Sequence, residues 1–215
     1  LGLAGSAAAH AMGDGTRPWD RKNAGDGAAI ELYPAAGQRR ALWVGPASVD
    51  MPAFADQPPL DEASWQWLEV QSAVATLSAP VSDLFVPQML NYESVGGVNF
   101  KKGCYPGQEI VARSHYLGKL KRRMQAASID FANAVKRDQA ITQLRIGMDV
   151  YSSADPAQPA GQLLAYAHSP LNDTQIDVLY EVSLPLLEND AQLSFKEPSG
   201  QWQRRALPYS LSDAG

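Results

Sequence analysis

The chain has 215 residues, of which 45% are hydrophobic and 19% charged, with a formal charge of −5 and one cysteine. That length suits one large domain or two small ones, and the spread of aromatic and branched residues excludes disorder. A lone cysteine excludes an internal disulfide scaffold and a cysteine-rich zinc or iron–sulfur site within one chain; no run reaches the roughly 20 apolar residues that span a bilayer.

The opening residues, Leu1 to His10, read as a small-residue segment without the basic leader and long apolar run of a signal peptide. Residues 13–29 read as an exposed loop rich in Gly, Asp and Arg. Ala28 to Tyr33 and Arg40 to Val44 read as strands of a hairpin. Residues 45–60 are a proline-rich connection. Asp61 begins a helical pattern, with Trp65 and Leu68 on one face. Pro80 stops that element and Pro87 interrupts the next, so Phe85 to Tyr92 is a fixed loop rather than a central strand. Gly96-Gly97 is a turn, and Val98 to Phe100 a short extended piece. Ile110, Val111 and Ala112 read as the buried face of a second helix.

Beyond Tyr116 the character changes. Gln143–Val150, Gly161–Ala167 and Gln175–Val182 are short runs separated by Gly, Pro, Asp and Asn. They predict about five to seven strands in a small antiparallel barrel or sandwich. Residues 152–160 read as a polar loop, and Ser183 to Leu187 as a short strand or turn. The expected boundary therefore divides the chain into 1–116 and 117–215.

Charge is concentrated. Lys101 to Arg123 holds seven Lys or Arg and one acid, Glu109, giving +6 against −11 for the remainder. Cys104 lies inside this stretch, in Lys101-Lys102-Gly103-Cys104-Tyr105-Pro106-Gly107-Gln108-Glu109. Glycine permits positive φ and close backbone approach. A helix starting near Gln108 would turn free amides toward the basic loop, attracting anions, and with Lys101 and Lys102 would favour a thiolate at Cys104. Such a thiol should react faster than a buried one. Glu109 is the local group able to accept a proton. Each residue also has a structural reading: Cys104 as a small buried hydrophobe, Glu109 as an i,i+4 partner of Arg113, the cluster as a solvated face. Lys119, Lys121, Arg122 and Arg123 could instead contact a phosphate backbone.

The nine residues Lys101–Glu109 resemble the signature of the YgfZ family. The likeness extends back through Phe85–Asn91 and Gly96–Phe100, and forward through Ile110–Arg113, Gly118–Arg123 and Leu207–Leu211. The resemblance implies an α+β fold related to the aminomethyltransferase T-protein of the glycine cleavage system, followed by a small antiparallel C-terminal β-barrel. It implies a tetrahydrofolate or related reduced-folate ligand, with Lys101, Lys102, Tyr105, Gln108, Glu109 and Arg113 as candidate contacts. Cys104 is the functional thiol, with Glu109 beside it, and Gly103 and Gly107 shape the backbone; no metal ligand is expected. The implied role is cytoplasmic: support of iron–sulfur client enzymes and, through them, tRNA modification, with tRNA contacted indirectly and no membrane partner. A folate-dependent aminomethyltransferase or other one-carbon transferase, and a direct RNA-binding protein, are the alternatives. Family members place the signature late in a longer chain, so an N-terminal portion is expected to be missing here.

Overall fold

The computed structural model describes residues 1–47, 58–116, 120–188 and 191–212. The chain divides into two compact units, Leu1–Ser72 and Ala73–Gly215. Residues 73–116 thus fall in the same unit as the barrel strands.

In the first unit, β1 (Gly2–Ala4), β4 (Gln38–Val44), β3 (Gly27–Ala35) and β2 (Arg21–Ala24) form an antiparallel sheet in that order. The β3–β4 hairpin turns at Ala36 (φ 49°) and Gly37 (φ 74°). Two successive positive φ values match the right-handed strand twist, which is why glycine sits there. The opening segment, read as a small-residue stretch, carries β1 and α1 (Ser6–Met12); Ala8 and Met12, one turn apart, bury against Ala29, Ala41 and Trp43 of the sheet. The expected loop 13–29 contains β2, whose Arg21, Lys22 and Asn23 face solvent as an edge strand. Most of the proline-rich connection, residues 48–57, lies outside the described residues. The side chain of Asp61 accepts from the Ser64 amide (2.8 Å) and caps α2 (Glu62–Ser72). The Arg40 guanidinium stacks 4.7 Å from the Trp65 ring and pairs with Glu69.

The second unit holds a six-stranded antiparallel sheet. Its order is β10 (Gln201–Arg205), β5 (Arg122–Asp130), β8 (Gln175–Ser183), β7 (Asp155–His168), β6 (Asp149–Ser152) and β9 (Leu193–Ser194). The two terminal strands, β9 and β10, touch each other, so the sheet curls into a nearly closed barrel. Alternate residues point inward: Ala127 and Ile129 from β5, Val178, Tyr180 and Val182 from β8, Leu163 from β7 and Val150 from β6. Tyr180 and Phe195 meet the Trp202 ring edge-on at 5.2 and 5.0 Å.

Four local expectations change. The polar loop 152–160 mostly joins β7, with Pro156 and Pro159 in the stretch where the β6–β7 register is irregular. Gln143–Val150 is a strand only at its end; before it runs α4 (Ala134–Gln143), capped by Asn133, whose side chain accepts from Lys136 N (2.9 Å). Ser183–Leu187 enters a short helix, α5 (Leu184–Glu188), with Pro185 in its first turn, where a missing N–H costs nothing. Val98–Phe100 is irregular. No helix among the described residues is long and apolar enough to cross a membrane.

Candidate functional site

Pro87 starts a 3₁₀ turn, Pro87–Leu90, which closes on Asn91 at φ 60°. From there the chain turns through Gly96 and reaches Phe100. Asn99 Oδ1 accepts from the Lys101 amide at 2.8 Å and bends the backbone into the signature loop. Helix α3 (Gln108–Tyr116) ends it. Gly107, at φ 81°, occupies a conformation that a side chain would strain. The Tyr105 amide donates to Gln108 Oε1 and the Gln108 amide to the Tyr105 carbonyl, both at 3.2 Å. This reciprocal pair, one bond from side chain to backbone and one closing a backbone turn, fixes the entry to α3. At the far end of α3, Tyr116 meets Phe100 edge-on at 6.4 Å, tying the base of the loop to the helix.

The loop itself is open. Lys101, Lys102, Gly103, Cys104 and Glu109 are exposed, and Tyr105 and Gln108 are half-buried. Cys104 is a free, exposed thiol, so its reading as a buried hydrophobe is set aside. Lys102 Nζ lies 4.4 Å from the centre of the Tyr105 ring, a cation–π contact that holds the charge over the loop. A Cβ on Gly103 would meet nothing within 4 Å, so the chain's own packing does not demand glycine there. The helix face differs from expectation. Val111 is buried and Ala112 half-buried, but Ile110 is 61% exposed, as is Tyr116 at 67%. Helical geometry explains this: three consecutive residues span about 200° and cannot share a buried face. Arg113 is exposed on the same helix.

The basic run divides in two. Lys101, Lys102 and Arg113 stand in solvent, whereas Arg122 and Arg123 are committed to ion pairs inside the fold. Arg122 pairs with the buried Glu181, its Nη2 lying 2.8 Å from Oε2, and also donates to the Ala160 carbonyl. Arg123 pairs with Glu93 at 2.6 Å, both side chains 5% exposed. The +6 stretch therefore presents less free charge than its composition states. Lys119 lies outside the described residues, and Lys121 is exposed.

Several residues around the site were not singled out by sequence reasoning. Gln88, 3% exposed, donates from Nε2 to the Val111 carbonyl of α3 at 2.7 Å. Asn91, fully buried, donates to the Met124 carbonyl of β5 at 3.0 Å and accepts from Arg123 Nη1 at 3.1 Å. A polar side chain in the apolar-looking segment Pro87–Leu90 was the available signal for Gln88. Among the described residues, no group of three or more His, Cys, Asp or Glu is placed to hold a metal ion.

The chain is thus an α+β protein with a C-terminal antiparallel barrel and an exposed, lysine-flanked thiol at a helix entry. No family model matches it, but its curated relatives agree with one another. It is 31% identical over 165 residues to the tRNA-modifying protein YgfZ of Vibrio atlanticus (strain LGP32), covering 72% of this chain and 45% of that protein. It is 32% identical over 190 residues to that of Vibrio vulnificus (strain YJ016), covering 87% and 55%. It is 31% identical over 150 residues to that of Klebsiella pneumoniae (strain 342), covering 70% and 42%. The chain belongs to the YgfZ family, and it spans about half the length of the curated relatives it matches.

Proposed function

We propose that this chain is part of a folate-binding accessory protein that supports assembly or repair of iron–sulfur enzymes and, through them, tRNA modification. The observation that carries the reading is the exposed signature loop: one free thiol between two lysines and the start of a helix. A reduced folate needs cations for its carboxylates, a polar partner for its pterin and an apolar wall. Lys101, Lys102 and Arg113 offer the cations, Glu109 and Gln108 the polar groups, and Tyr105 with the exposed Ile110 the wall. In this reading a bound folate would supply one-carbon chemistry, while the exposed Cys104 offers an accessible thiol and Glu109 a carboxylate able to accept a proton. The relatives are named tRNA-modifying proteins, which links this reading to tRNA. Direct RNA binding through residues 119–123 is less well supported, because Arg122 and Arg123 are held by Glu181 and Glu93.

The test is a Cys104→Ser replacement made in the natural gene. Iron–sulfur-dependent thiomethylation of tRNA, measured by mass spectrometry of digested tRNA, should fall severalfold. An unchanged level would exclude Cys104, and with it the proposed role of the loop.

A further inference from the structure

The C-terminal segment reaches back across the second unit. The Tyr209 hydroxyl donates to the Ala73 carbonyl at 2.6 Å and accepts from Asn91 Nδ2 at 3.4 Å. The Ser212 carbonyl accepts from Arg123 Nη2 at 3.1 Å, and the Ser212 amide donates to Ser94 Oγ at 2.9 Å. Two of these four contacts end on Asn91 and Arg123, the side chains that join the segment 91–95 to β5. Asn91 closes the 3₁₀ turn Pro87–Leu90. That turn packs against both β5 and α3, and its Gln88 holds the Val111 carbonyl. Helix α3 in turn fixes the signature loop through Gln108 and Tyr105. A continuous set of hydrogen bonds and packed residues therefore runs from Tyr209 and Ser212 to Cys104.

We propose that Tyr209–Ser212 is a strap whose docking on Asn91 and Arg123 positions α3 and the Cys104 loop, with Gln88 as the positioning residue that passes the constraint on. Two physical features support this direction. Gln88 and Asn91 are buried amides, and a buried amide that loses its partner costs more than an exposed one, so each holds its neighbour in one place. The loop, by contrast, is exposed, and it is tied to α3 through the Tyr105–Gln108 pair and the Phe100–Tyr116 contact. Its placement rests on what α3 rests on. The strap is exposed over part of its length and lies outside the barrel's strand ladder, which makes it releasable without dismantling the barrel. The inference concerns the loop's position and is tested without folate, so its failure would leave the folate reading standing, and the reverse.

The test is amide hydrogen exchange on the chain and on Tyr209→Phe and Gln88→Ala, with β8 as the internal reference. Tyr209→Phe keeps the ring and removes only the hydroxyl. Amides of α3 should exchange about fivefold to tenfold faster in each variant, the effect of one lost hydrogen bond, while Val178 and Tyr180 of β8 remain unchanged. In the double variant the two effects should not multiply, because both act on one constraint. A nitroxide attached to the single cysteine gives the readout that simple destabilisation would not move: its spectral lines should narrow in Tyr209→Phe at a temperature where the barrel is intact. Exchange confined to residues 73–95, with α3 unaffected, would overturn the proposal. So would equal acceleration of α3 and β8, or multiplicative effects in the double variant.

Discussion

Arg123→Ala lowers the stability of the chain by about 3–5 kcal/mol, the effect of breaking a buried ion pair from one side. Arg123 and Glu93 are each 5% exposed. The guanidinium also serves Asn91 Oδ1 and the Ser212 carbonyl. Its removal leaves a buried carboxylate without its cation and two acceptors without their donor, so the loss exceeds that of one hydrogen bond. Arg123→Lys recovers only part of it, because one ammonium cannot match a fork that reaches three partners. Urea unfolding followed by far-ultraviolet circular dichroism gives the measurement. If Arg123 were instead a solvent-facing contact for phosphate, the substitution would change stability by less than about 1 kcal/mol.

Gly161→Ala disrupts the barrel by at least about 4 kcal/mol, enough to leave much of the second unit unfolded at room temperature. Gly161 stands opposite Val182 in the β7–β8 pairing. A Cβ there falls onto the Glu181 backbone carbonyl, well inside van der Waals contact, and the backbone of a central strand has no flexible end to move aside. The strands must separate, which costs ladder hydrogen bonds on both sides. Glu181 is also the buried partner of Arg122, so displacement of β8 loosens that ion pair as well. Gly103→Ala serves as the contrast: its Cβ meets nothing within 4 Å, and stability should be unaffected. Thermal unfolding monitored at the tryptophans distinguishes the two.

The parts of the fold that were legible are those with strong local signals. The β3–β4 hairpin followed from two apolar runs around Ala36-Gly37, and α2 from Asp61 ahead of an amphipathic stretch. β8 stood out as a run of Ile176, Val178, Tyr180 and Val182. The parts that were missed have weak signals for identifiable reasons. Helix α1 is built largely of alanine, which has high helix propensity but little hydrophobic contrast. Helix α4 buries only Ala140 among its ten residues, so no apolar stripe marks it. At the site, the signature residues were visible as a cluster of charge around one cysteine. The ion pairs that consume Arg122 and Arg123 were not, because their partners Glu181 and Glu93 lie 59 and 30 positions away. Long-range pairing of this kind leaves no periodicity to read. It turned a basic run that looked continuous into an exposed half and a structural half.

The most direct test of the central claim is a calorimetric titration of the chain with tetrahydrofolate, repeated with Lys101→Ala, Lys102→Ala and Cys104→Ser. Saturable binding is the predicted result, weakened severalfold by either lysine substitution, more so at low ionic strength, and unchanged by Cys104→Ser. The absence of saturable heat with any reduced folate, or an affinity that neither lysine substitution alters, would contradict the assignment of folate to the signature loop.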